Sequence, residues 1–325
     1  MQVSGQTETA VKLALRIWNE SAGDPEAAML ASEVLSADVP EWHFRLIRDR
    51  VRNAAYDAAL RRAIRPGTRV LDIGSGTGLL AMMAARAGAA QVFSCEINPA
   101  IADAAREIVA ANGFSDRVQI VAKHSNKLQA DTDLNGRVDI IVSEIVSNDM
   151  LGQEVLAAME YAVGNLLKPG GQVIPAKGTV KMALAFDPYC SEARMETAEG
   201  FDLTAFNRLA KPSYSVSSVD KHLRLMSEAA DLFEFDFRAA APNPSGRTRR
   251  TLIAQGGPVN CIAQWIHLQM DDEGSYENKP GERVYSCWAT IAHPLPKQVE
   301  LKAGDTVEVN GSHDLCSVRI WASAE

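Results

Sequence analysis

The spacing of apolar positions changes character along the chain. Residues 7–19 and 25–35 carry apolar side chains at helical spacing, with the turn "SAGDP" between them, so they read as an antiparallel helix pair. A further helix is expected over 41–63, ending before Pro66. From Arg69 short continuous apolar runs take over. "RVLDIG" reads as a buried strand, 79–87 as a helix, "AQVFSCEI" as a strand and 99–112 as a helix. "VQIVAKH" and "VDIIVSE" follow as strands, and 152–167 as a helix. Strands alternating with helices imply an α/β unit with a parallel, doubly wound sheet. After "KPGGQVIP" come short alternating segments such as "TVKMALAF", "NCIAQWIHLQM", "DTVEVNG" and "SVRIWAS". These read as strands split by turn residues, and suggest an antiparallel barrel or sandwich. The boundary is expected near 175, and 188–225 reads as a less regular arm or insertion.

At 325 residues and 46% hydrophobic, the chain can bury an ample core in one large domain or two smaller ones. A formal net charge of −8 argues against a broad nucleic-acid surface and would help attract a cationic substrate. The apolar runs fall far short of the roughly 18 residues a membrane helix needs. "MQVSGQTETAVKLALRIW" lacks a basic start followed by an apolar core, so no secretory signal is expected. The five cysteines are dispersed and odd in number, with no CxxC. That pattern suits a reduced, cytoplasmic protein and supports no metal site.

"VLDIGSGTGLL" is the strongest chemical signal. Gly74, Gly76 and Gly78 follow a strand directly and open a helix, where glycines let the backbone approach a ligand at φ > 0. The spacing is GxGxG rather than the GxGxxG of dinucleotide sites. Glu96 ends the next strand, where an acid can accept both ribose hydroxyls. This constellation resembles the Rossmann-like class of S-adenosylmethionine-dependent methyltransferases. In that class the turn after the third strand, here "KHSNKL", meets the adenine, which points to Ser125 and Asn126. Asp72, inside "VLDIG", is grouped with the cofactor-binding residues.

"SEIVSNDMLGQE" narrows the resemblance. A strand-end Glu opening a loop, with a second acid nine or ten residues on, resembles the double-Glu loop of protein arginine methyltransferases. "WHFRLIRDRVRNAAYDAAL" is similar to that family's helix closing over the cofactor. "NGFSDRVQIVAKHS" is similar to the branch that forms monomethylarginine. "WHFRLIRDRVRN" and "GFDLTAFNRL" resemble the branch with tetratricopeptide repeats, and "SCWATIAHPLP" sits where the family has its Thr-His-Trp loop. The resemblance covers roughly 38–325. It implies an N-terminal helical segment (1–40), a Rossmann-like S-adenosylmethionine-binding domain (41–175) and a substrate-binding β-barrel (176–325) interrupted by a dimerisation arm near 188–225. It also implies a homodimer acting on an arginine-containing protein or peptide. Arg52 matches the Arg that binds the methionyl carboxylate, and His43 a His lying against the cofactor.

Methyl transfer from a sulfonium needs a nucleophile with a free lone pair, yet guanidinium is delocalised and protonated, with a pKa above about 12. Two carboxylates can grip its fork, choose which nitrogen faces the methyl and draw charge to the far edge. Glu144 matches the first of them. The family's second Glu falls on Gln153, with Glu154 one position later. On a helix beginning there, one position turns a side chain by about 100°. An amide at 153 accepts a hydrogen bond but brings no second charge. The substrate channel is expected to include Asp49, Cys287 and Trp288. Cys287 stands where the family has a His that pairs with an acid matching Asp49. A methyltransferase acting on another guanidino or amino acceptor, or a cofactor-binding protein without turnover, are the alternatives.

Overall fold

The computed structural model describes residues 5–21, 23–190, 194–241, 243–282 and 284–323. Positions 1–4 of the N-terminal segment and 191–193 of the expected arm lie outside the described residues. The chain divides into two units, Met1–Glu144 with Tyr161–Ile174, and Ile145–Glu160 with Pro175–Glu325. Pro175 opens the longer piece of the second unit, and the segment Ile145–Glu160 also belongs to it.

In the first unit α1 (Gly5–Glu20) and α2 (Pro25–Ser36) form the expected helix pair. Asp24 starts α2. Its carboxylate accepts the Glu26 and Ala27 amides at 3.1 Å, and Pro25 fills the first turn. The single helix expected over 41–63 is two, α3 (Trp42–Ile47) and α4 (Arg50–Ala63). The break falls at Asp49, whose carboxylate accepts the Arg52 amide at 2.9 Å and caps a new helix. A short acid that bonds the backbone locally outweighs the continuous helical pattern there.

The sheet comprises β1 (Arg69–Ile73), β2 (Gln91–Glu96), β3 (Val118–Ala122), β4 (Val138–Ser143) and β5 (Leu167–Ile174), in the order β3-β2-β1-β4-β5. All four pairings are parallel. Between the strands run α5 (Leu79–Arg86), α6 (Pro99–Ala111), the short α7 (Ala130–Asp133) and α8 (Val155–Asn165). β1 and β4 are buried along almost their whole length, as strands covered on both faces must be. The strand order reverses between β1 and β4. Their C-terminal ends therefore frame the crevice where open α/β sheets take ligands. The glycine loop leaves β1 at that end and Glu144 leaves β4.

The second unit holds β6 (Lys177–Phe186), β7 (Thr197–Ala198), β8 (Phe201–Asp202), β9 (Tyr214–Val216), β10 (Arg224–Leu225), β11 (Ala230–Asp236), β12 (Gly246–Ile253), β13 (Gly257–Gln269), β14 (Ser275–Glu277), β15 (Thr290–Leu301), β16 (Thr306–His313) and β17 (Val318–Ala322). One sheet follows β10-β6-β13-β15-β9, with β11 on β6 and β14 on β13; a second is β12-β16-β17. Small residues let a large ring bury here: Ala183, Ala263 and Ala292 pack with Trp265 in one core cluster. The antiparallel architecture is as expected, but no ladder among the described residues closes these sheets into a barrel. Register shifts bend the strands instead, between Val259 and Cys261 of β13 and between Asp231 and Phe233 of β11. The stretch 188–225 contributes the β7–β8 hairpin and a short turn at Thr204–Leu209. It rejoins the main sheet through β9 and β10.

Candidate active site

Gly74, Gly76 and Gly78 all take positive φ, at 87°, 50° and 75°. Gly78 is also closely packed: a Cβ there would meet Val109 Cγ2 of α6 at 3.1 Å. The Gly74 and Ser75 amides donate to the Cys95 carbonyl at 3.1 and 2.9 Å, pinning the loop to the end of β2. Glu96 sits at that end, 8% exposed. Its two oxygens accept the Gly76 amide at 3.1 Å and the Asn98 amide at 2.9 Å. The carboxylate thus faces the mouth of the glycine loop, on the side expected for ribose recognition.

At the ends of β1 and β4 the buried charged side chains are four acids, Asp49, Asp72, Glu96 and Glu144, and one cation, Arg52, among the described residues of this unit. Arg52 Nη2 donates to Glu144 Oε2 at 2.9 Å, and Nη1 donates to the Leu46 carbonyl at 3.3 Å and to Asn53 Oδ1. Burial pushes the Glu144 carboxyl up to about 7, against the pull of Arg52, with the Asp49 charge adding to the rise. Burial likewise pushes Asp72 up to about 8; a hydrogen bond from Ser94 Oγ at 2.7 Å opposes this, and the Glu96 and Glu144 charges reinforce it. Tyr56, not singled out from the sequence, is fully buried. Its Oη donates to the Ser143 carbonyl at 3.0 Å, and its ring lies under the Arg52 guanidinium, 5.5 Å from centroid to Cζ. The signal was present: Tyr56 stands four residues after Arg52, on the same helical face.

The remaining cofactor candidates are more loosely tied. Ser125 is buried in the turn after β3, with Oγ 3.4 Å from Asn126 Oδ1, and the Asn126 amide donates to His124 Nδ1 at 3.1 Å. Lys123 is occupied by Asp133 at 2.7 Å. His43, on α3, stacks on Trp42 at 3.7 Å, with Nδ1 3.0 Å from the Pro40 carbonyl.

In the second unit the acidic loop is firmly anchored. Trp288 is buried, and its Nε1 donates to the Val146 carbonyl at 3.1 Å. The Ala289 amide donates to Asn148 Oδ1 at 3.0 Å. Ser147 Oγ bonds Asp149 and accepts the Gly152 amide at 2.7 Å. A Cβ on Gly152 would fall 2.5 Å from Ser147 Cβ, so only glycine closes this turn. Gln153 and Glu154 are exposed, and both take the left-handed conformation, φ 58° and 56°. The helix starts only at Val155. A single 3-10 turn spans Gly152–Glu154 ahead of it, so the α-helix begins three residues later than expected. The step of about 100° does not apply to two residues with left-handed backbones. Trp288 is a buried anchor for the loop, with its ring edge-on to Tyr276 at 5.4 Å. Cys287 is half-buried.

The residues at the ends of β1, β2 and β4 fit S-adenosylmethionine. Asp72 Oδ1, Glu144 Oε1 and Ser75 Oγ are buried with no hydrogen-bond partner, and the excess of acids over Arg52 suits a ligand carrying sulfonium and ammonium charges. A ribosomal protein L11 methyltransferase (PrmA) family model matches residues 58–180. Arginine N(omega)-methyltransferase of Streptomyces achromogenes subsp. streptozoticus is 39% identical over 279 residues, covering 85% of this chain and 77% of that protein. The chain belongs to the arginine N-methyltransferase family. As a member it is an S-adenosylmethionine-dependent methyltransferase. Protein arginine N-methyltransferase 9 of Xenopus laevis is 29% identical, covering 87% of this chain. Protein arginine N-methyltransferase 7 of Drosophila grimshawi is 30% identical, covering 85%. The chain spans only 38% and 40% of those two proteins. Among solved structures, the Trypanosoma brucei PRMT1 enzyme–prozyme heterotetrameric complex with AdoHcy matches with TM-score 0.78 at 24% identity, covering 89% of this chain and 95% of that one. Arabidopsis thaliana protein arginine methyltransferase 10 matches with TM-score 0.71 at 19% identity, covering 83% and 86%. These two likenesses speak for the fold.

Proposed function

We propose that this chain transfers a methyl group to a guanidinium nitrogen of arginine in a protein or peptide, as a homodimer in a reducing cytoplasm. The observation that carries the reading is the buried Arg52–Glu144 pair at the end of β4, at the switch point of the sheet. S-adenosylmethionine supplies an electrophilic methyl when bound. Glu144 Oε1, buried without a partner, is free to accept a guanidinium N–H. With its pKa near 7 the carboxyl is charged from neutral pH upward, which orients the acceptor fork and steadies its cation. Arg52 is the candidate for the methionyl carboxylate, and Glu96 has oxygens at the place a ribose would need them. His43, Ser125 and Asn126 complete the cofactor set. Gln153 and Glu154 are the candidates for the second acceptor contact, with Asp49, Cys287 and Trp288 as supporting residues.

A homodimer is supported by the apolar side chains that 195–209 leaves in solvent, with Phe201 71%, Leu209 68% and Phe206 60% exposed. Light scattering of the full chain tests it, and a monomer at micromolar concentration would refute it. The acceptor is tested with isotopically labelled cofactor, an arginine-containing peptide, whole lysate and free L-arginine, followed by mass spectrometry of the labelled product. Label on arginine residues supports the reading. A second reading, free arginine as acceptor, is favoured by the Streptomyces relative, which is named for arginine rather than for protein arginine. Label confined to the free amino acid would select it.

A further inference from the structure

We propose that Tyr56 is a positioning residue for the acceptor carboxylate, acting on both halves of the Arg52–Glu144 pair; the inference rests on the role given to Glu144 above. Tyr56 reaches the pair by two independent routes. Its Oη donates to the Ser143 carbonyl at 3.0 Å, and that peptide is the one from which Glu144 departs. Ser143 is tied on its other side by Oγ to the Ile73 carbonyl of β1 at 3.3 Å. The peptide plane is therefore held between β1 and α4, and the direction of the Glu144 side chain with it. The second route runs through the ring, over which Arg52 lies at 5.5 Å, while Arg52 grips Glu144 at 2.9 Å. A cation held over a buried aromatic face is attracted to it and loses lateral freedom.

Asn53 closes the arrangement. Its Oδ1 accepts from Arg52 Nη1 and its Nδ2 donates to the Ile47 carbonyl at 2.8 Å, tying the guanidinium to the end of α3. A carboxylate that must meet a planar fork loses rate steeply when displaced, so a residue that touches no substrate can still govern turnover. The charged groups facing Glu144 are Arg52 on α4, Asp49 at the start of α4 and Asp72 on β1.

The test is Tyr56→Phe, which keeps the ring under Arg52 and removes only the hydroxyl. Two readouts are taken: steady-state kinetics with calorimetric cofactor affinity, and a carbon-13 NMR titration of the Glu144 carboxyl, assigned by its loss in Glu144→Gln. Loosening the peptide lets Glu144 draw back from Arg52. The titration midpoint should then rise by about half a pH unit or more, and kcat should fall about tenfold while cofactor affinity stays within about twofold. A lower melting temperature with midpoint and kcat both unchanged would make Tyr56 a packing residue and overturn the inference. The titration needs no turnover, so it decides the matter even if the wild type proves inactive on arginine, a result that would instead overturn the acceptor assignment.

Discussion

Asp72→Asn should make the ligand-free protein more stable at alkaline pH and less stable at acid pH. The buried Asp72 carboxyl has its pKa pushed from 3.8 to about 8. Below pH 3.8 the group is protonated whether the chain is folded or not, so it contributes nothing to pH dependence. As pH rises from there the unfolded chain releases the proton while the folded chain keeps it, and the wild type loses stability. The loss accumulates at about 1.4 kcal/mol per pH unit, reaching about 5 kcal/mol by pH 8. Asparagine escapes this loss and can still accept the Ser94 hydroxyl, which lies 2.7 Å from the present carboxylate. It instead buries an amide NH2 where Asp72 Oδ1 has no partner, at a cost of about 1–3 kcal/mol. The two stability curves should therefore cross near about pH 5, with the variant ahead by about 2–4 kcal/mol at pH 8. Urea unfolding of both proteins from pH 4.5 to 8.5, without added nucleoside, measures this. Parallel curves would refute the reasoning, because they would mean Asp72 carries its charge in the folded protein throughout.

Other outcomes follow from the same geometry. Glu144→Gln should lower methyl transfer about 100-fold or more while calorimetry finds cofactor affinity little changed; retained turnover would remove Glu144 from acceptor binding. Gln153→Glu should raise kcat/KM for an arginine peptide by supplying a second charge, whereas no change there with a loss in Glu154→Gln would assign the second contact to Glu154. Gly152→Ala puts a Cβ 2.5 Å from Ser147 Cβ, and should cost about 1–3 kcal/mol in thermal unfolding. Trp288→Phe removes the 3.1 Å bond to the Val146 carbonyl, and should cost about 1–2 kcal/mol in the same assay.

The alternation of apolar runs was enough to place four of the five parallel strands and the glycine loop, because a strand buried on both faces needs a continuous apolar run and a ligand loop needs positive φ. β5 escaped, since the exposed Lys168, Pro169 and Gly170 near its start break the run. Family membership was equally legible in "SEIVSNDMLGQE" and its flanking stretches. Barrel closure was not, since the ladders depend on register shifts such as that at Val259–Cys261, which alternation cannot report. Nor was the break at Asp49, where a local capping bond won over a pattern that reads as one helix. For Tyr56 only its place on the Arg52 face of the helix was legible; the bond from its hydroxyl to a carbonyl 87 residues away was not.

The stretch around Gln153 shows the division most clearly. Its residue types alone announced an acceptor loop with one acid displaced. Only the folded chain shows that Gln153 and Glu154 lie ahead of the helix with left-handed backbones, in a turn that Trp288, Asn148 and Gly152 hold from within the β-rich unit. Composition and spacing determine which elements form, because they are set by contacts between near neighbours in the chain. Which carboxylate pairs with Arg52, and how far burial raises its pKa, is decided by groups brought together from α4, β1 and β4, and no local pattern carries that information.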